Sequence, residues 1–521
     1  MPGFKFNWST PSRMVGTRPL PIISNEIYLE IFEYLEPSPE MHIDECKAIW
    51  SNLADVCCFF CAHFMGKIYE EFTFEVEKNT SGSSKDKTRK YITRICRGIN
   101  EKAKLHTLVG SRVQRCIIRN WPVGGNEDGQ VDLVLGAFLG LYTTAITRMP
   151  SLHTLRLEST FIGEELFSAV LKCRHLTRLE LVDCRFDSSE DMAFLATKLR
   201  TASSLGGLRI QNICVMSTTA PPEIAALFRK AICAWKGLAH WRTAGEFLNA
   251  SDLSALRNPN KLHSLVLSRA EDPQHLADFL QSCTQLQRLE VTSHPMDFET
   301  KFIVNAAAVP LLTHLHSTTA IAQQLVKGRR ITYLRLCWVE FSRVSAHFLE
   351  NMKTLQSLSI PYLLYDPTIT LPRLTYVSVE IDATRTLFMW NDGVSVSAIA
   401  ELPPKFLNQL QSITFRIRLD PHMRSLVVNA NLLKEQQALL VELKQGVETP
   451  NLTKVCLDGI IRWIWLEDRK VWIPSMMSLA DEEEKVKGEV DPMVLSGFVR
   501  DVLANTAPQD DVPDSTYRDV W

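Results

Sequence analysis

Cys58 and Cys61, at a CxxC spacing in CCFFC (57–61), stand just ahead of His63 and are the donor types of a zinc or thiol-redox site. Such a site needs a second pair or a thioredoxin-like setting, and neither accompanies these residues. Small thiols on an apolar helix account for the run better. His314 and His316 alternate at strand period and so share one face of a strand. Two imidazoles begin a metal site, but no third ligand is evident beside them. There is no GxxxxGK[ST] or GxGxxG loop to cradle a phosphate. HExxH and GxSxG are missing as well, so no nucleophile is paired with a base. The expectation is a chain without catalysis, metal or cofactor that acts through its surfaces.

Charge narrows the partners. Residues 85–115 carry ten Lys or Arg against Asp86 and Glu101, behind a linker-like NTSGSS (79–84). Ile92, Ile95 and Ile99 form a helical stripe there, so the cations read as a solvated helix face. The aromatics that interleave a nucleic-acid surface are absent from it. Across 521 residues the net charge is −2, with 45% hydrophobic and 22% charged residues. That is a folded chain with no global field toward nucleic acid or an anionic membrane. No apolar run reaches the ~18 residues of a membrane span, and MPGFKFNWSTPSRMVGTRPL lacks a signal core. The 13 cysteines lie inside apolar patterns, the usage of reduced thiols in the cytoplasm or nucleus.

What positions any such surface is a repeat. Apolar–x–x–apolar–x–apolar returns as LHTLRL (152–157), LTRLEL (176–181), LGGLRI (205–210) and LHSLVL (262–267). It continues as LQRLEV (286–291), ITYLRL (331–336), LQSLSI (355–360) and LTYVSV (374–379). Weaker copies are VQRCII (113–118), LAHWRT (238–243), LTHLHS (312–317), LQSITF (410–415) and LTKVCL (452–457). Starts lie 24 residues apart at 152 to 176, 238 to 262, 262 to 286 and 331 to 355. Positions four and six alternate with exposed neighbours, so each copy is a short strand with one buried face. In DPQHLADFLQSC the period becomes helical: Asp272 caps, Pro273 opens the first turn, and Leu276, Phe279 and Leu280 share a face. A unit this small cannot bury its apolar side alone, so copies must stack.

This period and core resemble leucine-rich repeats. CRHLTRLELVDC (173–184) and CTQLQRLEV (283–291) set a cysteine three residues before the strand, and Cys184 follows it by three. That variant resembles the cysteine-containing class found in many ubiquitin-ligase receptors. The expected fold is α/β: a leucine-rich-repeat horseshoe, parallel strands on the concave face and helices outside.

The front of the chain differs. In NEIYLEIFEYL (25–35), Ile27, Ile31 and Leu35 recur every fourth residue, with Leu29 and Phe32 widening the stripe. Ser24 or Asn25 serves as N-cap, and Pro37 and Pro39 stop the helix. After the polar insertion EPSPEMHIDECK (36–47), Leu53, Val56, Cys57, Phe60, Phe64 and Ile68 keep helical spacing. So few residues make little core of their own. Together these segments resemble an F-box, the docking module of SCF-type ubiquitin ligases. The resemblance implies that Leu20, Pro21, Glu26, Ile27, Ile31, Phe32, Leu35, Val56, Cys57 and Phe60 meet the adaptor subunit that leads to a cullin. Leu20-Pro21 stands three residues earlier than in the family pattern, and the insertion is longer. F-box plus repeats resembles a substrate receptor; the other reading is a helical cap on an interaction scaffold.

The expected order is therefore a flexible N-terminus (1–18), an F-box-like unit (19–75), a linker (76–90), repeats (91–475) and an acidic, partly disordered tail (476–521). Strand positions beside the buried leucines are Arg156, Glu158, Arg178, Glu180, Arg209, Arg242, Arg288, Glu290, Arg335, Glu380 and Arg416. With Tyr333 and Tyr376 as anchors, the surplus of arginine points to an acidic or phosphorylated segment of an unknown target protein. Trp463 and Trp465, with Trp472 beyond, either seal the last repeat or line a pocket, and sealing is preferred.

Overall fold

The structure, a computed structural model, describes residues 14–15, 18–19, 21–35, 43–56, 58–75, 83–121, 133–186, 212–216, 226, 232–233, 237–243, 253, 255–267, 272–292, 302–337, 346–361, 371–382, 410–418, 426–428, 430–446, 451–457, 461–476, 488–490 and 492–506. The chain divides into two compact units, Met1–Thr284 and Gln285–Trp521.

Behind a short antiparallel pairing of Met14–Val15 with Arg18–Pro19, the first unit has three helices, α1 (Asn25–Tyr34), α2 (Ile43–Ala54) and α3 (Cys58–Ile68). The strands of one sheet that follow among the described residues are β1 (Glu71–Glu75), β2 (Arg115–Arg119), β3 (Thr154–Glu158), β4 (Arg178–Val182), β5 (Asn212–Met216), β6 (His240–Thr243) and β7 (Ser264–Leu267). They lie side by side in chain order, and each pairing is parallel. Parallel neighbours need a crossover, and helices supply several: α4 (Ser83–Asn100), α5 (Lys104–Gly110), α6 (Leu133–Ile146) and α7 (Glu164–Lys172). A fifth helix, α8 (Pro273–Ser282), follows β7.

The repeat pattern lands where its period requires. Leu155 opposes Leu179 and Leu157 opposes Leu181, and all four are buried. Arg156 and Glu180, between them, project to the other face. Asp272 caps α8 by accepting from the amides of Gln274 at 2.9 Å and His275 at 3.2 Å. Each strand from β2 to β4 ends on a left-handed residue: Asn120 (φ 55°), Ser159 (φ 47°) and Asp183 (φ 51°). Short polar side chains suit that conformation better than bulky ones. The next residue then turns inward and reaches back one repeat. Thr160 donates to the Ile118 carbonyl at 3.1 Å, and Cys184 to that of Leu157 at 3.2 Å. The cysteines before the strands end helices instead: Cys173 donates to Ala169 O and Cys283 to Phe279 O. Burial pushes the thiols of Cys173 and Cys283 up to about 12. Such thiols are packing atoms, not nucleophiles.

Four expectations change here. The first strand is Glu71–Glu75, not part of the helical unit; alternation in EFTFE buries Phe72 and Phe74. The stretch 76–90 is not linker throughout, because α4 begins at Ser83; it buries Ile95 and Ile99 and exposes Arg94 and Arg97. The insertion is half helix, since α2 begins at Ile43. The strand paired with β4 is Asn212–Met216, with Ile213 opposite Leu179, rather than LGGLRI, which lies outside the described residues. Branched Ile and Val suit a strand, whereas a Gly-Gly pair weakens one.

In the second unit β8 (Arg288–Val291), β9 (His314–Ser317), β10 (Tyr333–Leu336), β11 (Ser357–Pro361), β12 (Tyr376–Asp382), β13 (Ser412–Arg418) and β14 (Lys454–Leu457) continue the parallel pattern. The direction then alternates: β15 (Ile461–Leu466) pairs antiparallel with β14, and β16 (Val471–Met476) pairs antiparallel with β15. The helices are α9 (Thr319–Leu325), α10 (Ala430–Gly446) and α11 (Pro492–Thr506). Trp463 and Trp472 are wholly buried. Their indole N–H groups donate to Gln436 Oε1 at 3.0 Å and Leu440 O at 3.1 Å, both on α10. Within the stretch expected as an acidic, partly disordered tail (476–521), helix α11 is ordered against the sheet: Val499 packs with Val471 and Ile473. Acidic composition at 481–484 masked an apolar stripe of Leu495, Phe498 and Val499 that is buried.

Candidate functional site

Two surfaces offer themselves, one on the N-terminal helices and one on the strand faces. On α1, Tyr28 and Phe32 point into the unit, where they join Phe59 and Phe64. The Phe32 ring meets Phe60 edge-on at 4.6 Å and lies 4.9 Å from Phe64. Phe32, expected among the adaptor contacts, is only 1% exposed and belongs to this cluster. Adjacent helical residues diverge by ~100°, so Ile31 and Phe32 cannot serve one partner face. Phe60 is half-buried and packs on the same cluster.

The remaining stripe is part-exposed. Ile27 is 48% exposed, Ile31 38%, Leu35 43% and Val56 62%. Ile22, Leu29 and Tyr34 extend the exposed apolar area. Ser24 occupies the N-cap position, and Glu26, exposed in the first turn, is held low by a backbone hydrogen bond and by Ser24. Pro21 is exposed as well. Leu20 and Cys57 lie outside the described residues. Helix α2 is tied to the sheet, where Lys47 Nζ donates to Glu71 O at 3.0 Å, and beside the first strand the Gln114 amide donates to Glu70 O at 2.8 Å.

On the strands, the arginines of the first unit are answered in place. Arg119 pairs with Glu158 at 3.1 Å, and Arg156 with Glu158 at 3.2 Å and Glu180 at 3.7 Å. Arg178 reaches Glu180 at 2.5 Å. The sequence counted a surplus of cations there; the register interleaves them with carboxylates across β2, β3 and β4, so little charge is left over. Arg242 is half-buried on β6, and Arg209 lies outside the described residues.

The second unit is arranged differently. Arg288 donates from Nε to Glu290 Oε1 at 2.6 Å, and His316 Nδ1 is 3.7 Å from Glu290 Oε2. Burial would raise the Glu290 carboxyl, but His316 and Arg288 win and hold it at about 2. His314 stacks on Tyr333 at 5.7 Å and 22°, and burial and Arg288 hold its imidazole low. The Tyr376 hydroxyl donates to Thr414 Oγ1 at 3.2 Å on the next strand. Arg335 is half-buried, and Arg416 opposes Glu380 in register. Among the described residues no three His, Cys, Asp or Glu side chains converge on a metal position, and no helix is long and apolar enough to cross a membrane.

No protein-family model matches the chain, and a comparison with curated proteins finds no match. Among solved structures it is similar to the complex of TLR13 with ssRNA13, at 14% identity and a TM-score of 0.32. That match covers 67% of this chain and 52% of the other, so the chain spans about half of it. A second similarity is to the plant peptide hormone receptor RGFR1 in complex with RGF2, at 12% identity and a TM-score of 0.25, covering 68% of each chain. At such values the likeness is slight; the LxxLxL period and the in-register parallel strands themselves define the leucine-rich-repeat architecture.

Proposed function

We propose that the chain is a substrate receptor of an SCF-type ubiquitin ligase. The N-terminal unit docks the adaptor subunit, through it a cullin, and the repeats hold a target protein. The observation that carries this reading is the part-exposed stripe Ile27–Ile31–Leu35 with Val56. A helix that only closed the repeats would turn all its apolar side inward, as Tyr28 and Phe32 do. Covering the half-exposed stripe contributes about 1 kcal/mol per side chain, enough to favour a partner helix. On this reading the chain carries no chemistry of its own, needs no cofactor, and works in the cytoplasm or nucleus while other subunits transfer ubiquitin.

A second reading, a repeat scaffold whose helices are only a cap, draws on the ties from Lys47 to Glu71 and from Gln114 to Glu70. Size-exclusion chromatography of the full chain with purified SCF adaptor separates the two. The receptor reading expects co-elution that Ile31→Asp and Leu35→Asp each abolish without shifting the unfolding midpoint. Absence of co-elution for the unaltered chain leaves the cap.

A further inference from the structure

The ten Lys and Arg of residues 85–115 stand against two acids, in a chain whose net charge is −2. That run forms α4, α5 and β2. Ile95, Cys96 and Ile99 of α4 are buried, whereas Lys90, Arg94 and Arg97, at helical spacing, are exposed. Lys102, left-handed at φ 59°, turns the chain from α4 into α5, and the Ala103 amide closes that corner on Gly98 O at 2.9 Å. Lys104 and Leu105 follow at the corner, and Leu105 is 64% exposed. Arg148, two residues past α6, donates to the Asn100 carbonyl and brings another exposed cation to the end of α4. A carbonyl satisfies its hydrogen bond but not its charge. Among the described residues no carboxylate pairs with Arg94, Arg97, Lys102, Lys104 or Arg148, and Glu71 pairs with Arg115 instead. Glu101 is exposed on the same face and is outnumbered there. On the strand faces, by contrast, Arg119, Arg156, Arg178 and Arg288 each stand beside a glutamate.

We infer that this face, the outer side of α4 with the α4–α5 corner, rests on a bilayer surface that carries anionic phospholipid. The inference uses neither adaptor docking nor the target-holding surface. Arg94 and Arg97 stand about 4.5 Å apart along the helix axis, inside a screening length of ~8 Å, so their fields add. A cluster of Lys and Arg of this kind is what the negative potential of an anionic leaflet attracts. Leu105, exposed between Lys104 and the α4 corner, supplies an apolar side chain for the acyl boundary while the lysines keep to the headgroups. Tyr91, half-exposed beside Arg94, meets the Tyr69 hydroxyl with its own. Such a ring, apolar in body and polar at its tip, suits the headgroup level. A single-stranded nucleic acid needs several open rings to stack on, and among the described residues of this face Tyr91 alone is an exposed aromatic. An acidic peptide needs a strand edge or a groove to fix its register, and the outer side of a helix presents neither. A bilayer is flat and fluid and needs no register.

The test is flotation of the full chain with vesicles of phosphatidylcholine alone or of phosphatidylcholine mixed with phosphatidylserine. The mixed vesicles are expected to bind at least tenfold tighter, and raised salt is expected to release the chain. Arg94→Gln with Arg97→Gln is expected to weaken that binding tenfold or more. Leu105→Ser, which leaves the charge intact, is expected to weaken it threefold or more. Lys353→Gln with Arg373→Gln, a pair of exposed cations in the second unit, is expected to change it by less than twofold. All these side chains are exposed, so the variants keep the fold, and thermal unfolding checks each one. Labelled oligo(dT) and poly(Glu), read by fluorescence anisotropy, stand for nucleic acid and for an acidic protein. The inference is overturned by equal binding to the two kinds of vesicle, or by full binding in either the arginine variant or Leu105→Ser. An equal loss from the second-unit pair, or tighter capture of oligo(dT) or poly(Glu) than of the mixed vesicles, overturns it as well.

Discussion

The strands that begin the first unit and those that end the second meet the same problem, since the outer edge of a repeat sheet must cover apolar side chains. The second unit solves it completely. Its strands reverse direction, Trp463 and Trp472 vanish, and α10 and α11 lie over them. In the first unit Lys47 on α2 reaches the Glu71 carbonyl of β1, and the apolar stripe of α1 is left part-exposed. One unit buries its large aromatic residues, and the other leaves an apolar stripe part-exposed.

That contrast can be broken by mutation. Trp472→Ala removes a fully buried indole and is expected to cost ~3–5 kcal/mol, read by urea unfolding. A loss under ~1 kcal/mol would mean that the pair does not seal the end. Phe32→Ala is expected to cost ~3 kcal/mol locally, read by hydrogen exchange in α1 and α3. A smaller effect follows from Glu290, whose carboxyl lies near 2 against an ordinary 4.5. A depressed acid stabilises the fold above its unfolded pKa, and that contribution fades as pH falls through the folded value. Stability of the second unit should therefore drop between about pH 4.5 and 2 by roughly 1–2 kcal/mol, discounted because Arg288 is half exposed. Glu290→Gln should flatten that slope. Ile31→Asp should change unfolding by less than ~0.5 kcal/mol, because its side chain already meets water. A large loss there would put Ile31 in the core and erase the difference between the ends.

Much of the architecture was legible in the residues. Leu179 and Leu181, or Leu334 and Leu336, announce a strand by period two, and Asp272-Pro273 announces a helix start. Where the pattern failed, a rival signal was stronger. LGGLRI matches the template by letter but lies outside the described residues, and the strand beside β4 is Asn212–Met216. Glu71–Glu75 was absorbed into the helical spacing before it. The binding faces were less legible. A stripe on α1 shows which residues are apolar, not which of two adjacent faces its neighbours cover, so Phe32 and Ile31 looked alike. Nor does a count of arginines reveal that register sets Arg156 and Arg178 beside Glu180.

The ladder from Arg119 through Glu158, Arg156 and Glu180 to Arg178 also sets a tempo. Charges answered at 2.5–3.7 Å project little field beyond the surface. A molecule approaching that face is not steered. It arrives at the unassisted rate, on the order of 10⁵–10⁶ M⁻¹ s⁻¹, nearly indifferent to salt. Any salt-dependent acceleration in capturing a partner must then originate elsewhere on the chain, and how long the partner stays becomes the quantity that evolution can adjust.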